Sequence, residues 1–135
     1  MKIIVDTCIW SMAFRRNTGP VNQAVVELEA LILDNRAQML GPIRQEVLSG
    51  IKAQTQFERL RQILGAFPDL PIERSDYERA ALFFTACRRR GIQGSNTDFL
   101  ICAVAHRYSL PIFTQDRDFT FFQTVIDIQL YGSSV

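Results

Sequence analysis

Residues 1–10 read MKIIVDTCIW. Lys2-Ile3-Ile4-Val5 is apolar and β-branched without alternation, the pattern of a short strand covered on both faces. Asp6 follows at once. A carboxylate at the end of a buried strand costs free energy unless something positive stands beside it. The stretch therefore asks two questions together: what sheet the strand belongs to, and what Asp6 is there to bind.

Working outward, the chain alternates. The spacing predicts a strand over 2–5, a helix over about 7–14 and a loop at RRNTGP, 15–20. A second helix is predicted over 21–34, with Val21, Ala24, Val25, Leu28, Leu31 and Ile32 on one face. AQML at 37–40 reads as a short strand. Gly41-Pro42 opens a helix, since proline suits a first turn, and Ser49-Gly50 closes it. A helix over 55–66 is followed by PDLPIE at 68–73, a turn with a short strand. The helix over 76–90 carries Tyr77, Ala80, Ala81, Phe84 and Cys87 on one face and ends in Arg88-Arg89-Arg90-Gly91, cations and a glycine where a helix C-terminus favours them. From Phe99 to Ala105 the helix over 96–108 is apolar nearly all round, which marks a buried central helix. LPIFT at 110–114 is a buried strand and DIQLY at 127–131 a last, alternating one. Strands separated by helices argue for one α/β domain over 1–135, with a central, mostly parallel sheet flanked by helices on both faces. In such sheets ligands bind outside the carboxyl ends of the strands, where strand order reverses.

Composition bounds the function. With 47% hydrophobic and 21% charged residues the chain reads as an ordinary globular domain. No apolar run approaches the roughly 20 residues of a membrane span, and the N-terminus lacks a signal-peptide pattern, so a cytoplasmic protein with no membrane role is expected. Cys8, Cys87 and Cys102 form no CxxC and are read as reduced, buried thiols. A single histidine, His106 in the last turn of its helix, supports neither a triad nor a His/Cys metal cluster.

The acids fall at structural punctuation. Asp6 ends the first strand. Glu46 lies on the short helix after AQML, beside the apolar face set by Ile43 and Val47. Asp98 is in the first turn of the buried helix. Asp116 follows PIFT, and Asp118 comes two residues later. Taken singly, Asp98 suits a helix N-terminus, Asp116 and Asp118 suit a turn, and Glu46 suits a solvated helix face. Strand ends and helix starts share one edge of a parallel α/β sheet, so these acids converge there. Clustered carboxylates without a matching His or Lys call for a hard cation, Mg²⁺ or Mn²⁺, the ions that activate water in phosphodiester cleavage.

In order and spacing, IIVDTCIW, PIRQEVLSG, NTDFLICAVA and PIFTQDRDF resemble the motifs of the PIN-domain nucleases, and the length is similar to that of the VapC-type toxins of toxin–antitoxin systems. The resemblance spans nearly the whole chain. It implies an α/β fold, Mg²⁺- or Mn²⁺-dependent endoribonuclease activity on structured RNA such as tRNA or rRNA, a cognate antitoxin and a homodimer. It also implies that Asp6, Glu46, Asp98 and Asp116 are the metal-binding catalytic acids, that Asp118 is an accessory acid, and that Thr7 is the supporting hydroxyl. Where the family often has Ser and Asn, this chain has Cys8 and Thr97; neither departure removes a carboxylate.

Rival readings fit less well. A phosphoacceptor receiver domain needs a late-strand Lys, and the only lysines are Lys2 and Lys52; an aspartyl phosphatase wants a second Asp at position 8, which is Cys8. A non-catalytic or regulatory module on the same fold has no physical reason to keep mutually repelling acids. A related metal-dependent DNA nuclease shares the metal chemistry. Charge favours a polyanionic substrate: the net +1 is 15 cations, 13 of them Arg, against 14 acids. Without the five site acids, nine acids face those 15 cations, so a −5 pit sits in a +6 remainder. Arg15, Arg16, Arg44 and Arg117 are the expected RNA-binding rim.

Overall fold

The computed structural model describes residues 1–15 and 19–132. Arg16 therefore lies outside the described residues. Three short strands, β1 (Ile3–Val5), β2 (Ala37–Gln38) and β3 (Ile112–Phe113), form a parallel sheet in the order β2-β1-β3. Ile3 and Ile4 of β1 register with Ala37 and Gln38, while Ile4 and Val5 register with Ile112 and Phe113 on the other side. β1 is covered on both faces and its three residues are buried, as a central parallel strand requires.

Seven helices complete the described elements: α1 (Thr7–Phe14), α2 (Gln23–Leu33), α3 (Gly41–Ser49), α4 (Gln54–Leu64), α5 (Arg74–Arg89), α6 (Asn96–Tyr108) and α7 (Asp118–Phe122). The chain steps from β1 to β2 in one direction and from β2 back past β1 to β3 in the other. α1 packs against both α2 and α3, α4 packs against α3, and α5 packs along α6. The reversal falls between β1 and β3, so that crevice is where a ligand is expected.

α6 is central: Phe99, Ile101, Cys102, Ala103, Val104 and Ala105 are all buried. α5 packs along it, but its buried face is rotated from the predicted one. Ala80 and Cys87 face inward with Asp76, while Tyr77 and Ala81 are exposed. The cause is Asp76, whose carboxylate takes Arg107 of α6 and turns the helix toward it. In α2, Ala24, Leu28 and Leu31 are buried as expected, whereas Val21 precedes the helix and is exposed, as is Ile32.

Two predicted strands shrink. At 127–131 a single parallel bridge, Ile112 to Leu130, replaces the strand, and at 68–73 a single bridge joins Met39 to Asp69. Both lie at the sheet's edges, where a short segment pairs on one side only. α7 stands where the sequence predicts only a turn: five residues are too few for a period, although Phe119 and Phe122, three apart, are both buried.

Candidate active site

Asp6 is the N-cap of α1, in extended conformation directly after β1. Its N–H donates to Phe113 O at 2.9 Å, continuing the ladder to β3. The residue is 6% exposed. Its carboxylate accepts from Thr7 N–H at 2.8 Å on Oδ1 and from Thr114 Oγ1 at 2.7 Å on Oδ2, with the Cys8 thiol 3.7 Å from Oδ2. Among the described residues no cation pairs with it. Burial raises its pKa above the ordinary range. The two threonine hydrogen bonds oppose this, and repulsion from Asp98 and Glu46 adds to it.

The other acids arrive from three further elements. Glu46, exposed on α3, accepts from Thr7 Oγ1 at 2.7 Å, so Thr7 links Asp6 and Glu46 through its amide and its hydroxyl. Asp98 closes a capping box at the start of α6: its N–H donates to Ser95 Oγ at 3.0 Å and its Oδ2 accepts from Ser95 N–H at 3.1 Å. Burial raises the Asp98 pKa, with repulsion from Asp116 and Glu46 added. The loop that delivers Ser95 is held by Gly94, where a Cβ would come within 2.5 Å of the Phe122 ring. Asp116 follows β3; its N–H donates to Thr114 Oγ1 at 3.0 Å, and its Oδ1 accepts from Asp118 N–H at 2.9 Å.

Asp6 is thus within electrostatic reach of Glu46 and Asp98, and Asp98 of Glu46 and Asp116, with the acids delivered from the end of β1, α3, α6 and the end of β3. Asp118 is exposed in the first turn of α7 and joins the group through its amide. Among the described residues no three His, Cys, Asp or Glu side chains close into a metal-binding group.

Thr114 is a site residue absent from the sequence-based set. Because its Oγ1 accepts from Asp116 N–H, its proton is directed to Asp6, and one hydroxyl ties the end of β1 to the end of β3. The available signal is local, a Thr two residues before an Asp after a strand. Cys8 is half-buried; burial pushes its thiol pKa up and keeps it neutral beside Asp6, while Gln115 N–H donates to its sulfur at 3.5 Å. Cys87 and Cys102 are buried free thiols.

Of the expected rim, Arg15 and Arg117 are exposed. Arg44 is a correction. Its guanidinium donates to Leu64 O at 2.8 Å, to Phe67 O and to Asp69 Oδ1 at 2.8 Å, so it ties the end of α4 to α3 and is committed to the fold. Its place one turn past the start of α3 suggests a rim position only because the carbonyls it meets come from residues distant in sequence.

The PIN domain description matches residues 3–123. A VapC ribonuclease of Mycobacterium bovis and ribonuclease VapC11 of Mycobacterium tuberculosis are each 32% identical to this chain over 131 residues, covering 94% of it and 96% of the relative. Among solved structures, FitAcB from Neisseria gonorrhoeae superposes with a TM-score of 0.76 at 20% identity over 96% of both chains. VapBC2 from Rickettsia felis, bound to a DNA fragment from their promoter, superposes with a TM-score of 0.75 at 19% identity over 96% of this chain and 97% of that one. The solved structures share the fold.

Proposed function

This chain belongs to the PIN-domain family, and we propose that it is a divalent-metal-dependent endoribonuclease, the toxin of a toxin–antitoxin pair, acting through Asp6, Glu46, Asp98 and Asp116. It hydrolyses RNA phosphodiesters, as the names of its VapC ribonuclease relatives say of them. The observation that carries the reading is Asp6: a buried carboxylate at the strand-order reversal, held by uncharged donors and pressed by like charges, lacks the positive charge that would settle it.

An all-oxygen donor set suits Mg²⁺ or Mn²⁺, and Mg²⁺ keeps several waters while using one or two carboxylates, so the acids need not close tightly on it. When bound, the metal supplies an activated water and stabilises the leaving oxygen. The chain's own residues do the rest. Asp6, Glu46, Asp98 and Asp116 would hold the metal directly or through water, and Asp118, whose N–H donates to Asp116 Oδ1, would steady Asp116. Thr7 and Thr114 fix the Asp6 and Glu46 rotamers, which keeps the oxygens aimed without a cation of the protein's own. Attack by a metal-activated water calls for no covalent intermediate.

Incubation of cellular RNA with Mg²⁺ or Mn²⁺ and with EDTA, followed by sequencing of fragment ends, tests this. The expected products carry 5′-phosphate and 3′-hydroxyl ends and vanish in EDTA. Cyclic 2′,3′-phosphate ends that persist in EDTA would falsify it.

The toxin reading brings an antitoxin and a homodimer. Solved complexes of the same fold include toxin–antitoxin pairs. Apolar side chains left exposed on α2 (Val26, Ile32, Leu33) and α5 (Tyr77, Leu82) supply surface for both. Structured RNA such as tRNA or rRNA is the substrate class, and the cytoplasm its setting. A purified chain that sediments as a monomer and harms no host would remove the toxin role while leaving the nuclease.

A further inference from the structure

Beside the acidic pit lies a cleft of about 1090 Å³ that none of its acids lines. One wall is the end of α1 (Ser11, Phe14, Arg15). Val47 of α3, Lys52 and Arg59 of α4 also line the cleft. Ser11 is one helical turn beyond Thr7, and Val47 follows Glu46, so the cleft's lining adjoins the Thr7–Glu46 pair along α1 and α3. From Thr7 to Arg15 is on the order of 12 Å at the helical rise, a span of a few nucleotides.

The charge of this cleft is one-sided. Arg15, Lys52 and Arg59 line it, and no lining residue is acidic. Arg36, Arg44, Arg61 and Arg107 each pair with a carboxylate elsewhere on the molecule. Among the described residues the three cleft cations make no ion pair, in common with Lys2, Arg74, Arg79, Arg88, Arg89, Arg90 and Arg117; what sets them apart is one shared concave surface without an acid. Three cations around one concave surface with no acid in its lining suit an anionic partner, and a chain of phosphates is the partner a nuclease supplies.

Resting on the nuclease reading above, we propose that this cleft is the track for the RNA strand flanking the scissile phosphate, with Arg15, Lys52 and Arg59 as its phosphate-binding groups. Lys52 and Arg59 come from the α3–α4 segment, outside every motif that supplies a site acid.

The test is the salt dependence of binding to a fluorescein-labelled single-stranded oligoribonucleotide, read by anisotropy in EDTA so that no cleavage intervenes. Lys52→Glu/Arg59→Glu should lower the slope of log affinity against log salt by about 1.4, some 0.7 for each phosphate that is no longer neutralised. Lys2→Glu/Arg36→Glu makes the same charge change at the amino edge of the sheet and should leave the slope in place. Equal loss in the control, or an unchanged slope in the cleft variant, overturns the assignment; the second result leaves the cleft to an acidic polypeptide, which competition with a poly-glutamate peptide would reveal. Should the reversed-charge variant fail to fold, Lys52→Gln/Arg59→Gln takes its place with the same expected loss of slope. Cleavage by the unaltered protein in Mg²⁺ is measured in parallel: its absence overturns the nuclease reading and the track with it, whereas intact cleavage with an unchanged slope overturns the track alone.

Discussion

Asp6 and Asp76 are the two buried aspartates of the described chain, 6% and 1% exposed, and they are treated in opposite ways. Asp76 sits in the first turn of α5 and is met by Arg107, with Nε to Oδ1 at 2.8 Å and a second amine to Oδ2 at 2.9 Å; Glu73 N–H adds a third bond. The Arg107 bond and the cation's charge hold its pKa below the ordinary value. Asp6 has two threonines, a thiol and no cation, and its pKa is raised. A carboxylate that serves the fold is buried together with its counter-charge. Asp6 is buried without one, which is what the proposed site for an incoming cation requires.

The largest effect that would sharpen this contrast is catalytic. Asp6→Asn is expected to lower RNA cleavage by on the order of 10²–10³-fold, the scale of losing one group aimed at the reacting centre. Asp76→Asn should leave the rate per folded molecule unchanged. Initial rates normalised to folded protein decide it; equal losses would erase the distinction.

Next in size is stability. Asp76→Asn removes the charge-assisted bonds to Arg107 and should destabilise the fold by about 2 kcal/mol, the scale of hydrogen bonds to charged groups, seen as a lower urea midpoint. Asp6→Asn keeps an acceptor for Thr7 N–H and removes a repelling charge, so the metal-free protein should hold or gain stability. A large loss there would mean that Asp6 serves the fold.

Thr114→Val probes how much of Asp6's behaviour is imposed by its neighbour. It removes the hydroxyl between the two strand ends, and a loss of roughly tenfold in activity or metal affinity is expected, as for other groups that orient a ligand. Thr114→Ser should restore most of it.

The smallest effect is the pH profile. Asp6 and Asp98 bind protons more readily in the folded chain, so their shared strain is full at neutral pH and is relieved as pH falls through their raised values. Asp76 runs the other way: its contribution is full above its unfolded value near 3.8 and is lost as pH falls through its lowered folded value. Melting of the metal-free protein should therefore rise and then fall on acidification. Asp6→Asn should flatten the first limb and Asp76→Asn the second.

Much of this is legible in residue order. The unalternating Ile3-Ile4-Val5 announces a doubly covered strand, and the all-round apolar run from Phe99 to Ala105 announces the central helix. Both work because burial on every side leaves a pattern in a single segment. α7 escapes such a reading because Phe119 and Phe122 alone cannot display a period. The pattern at 127–131 promises more strand than forms, because alternation cannot count how many residues find a partner.

Residue order also determined which side chains carry acid and where each stands on its own element: Asp6 after a strand, Asp98 and Asp116 at a helix start and a strand end, Glu46 on α3. It could not determine which acid would have a cation. The sequence places Arg44 on the RNA-binding rim, yet it is bound to carbonyls at and just after the end of α4; Asp76 opens the predicted helix over 76–90 and is a buried ion pair; Lys52 and Arg59 line one cleft. Those outcomes belong to the tertiary structure, because counter-charges pair through space across 25 to 31 residues of chain, and the free energy of a buried charge depends on what the fold brings within a few ångströms of it.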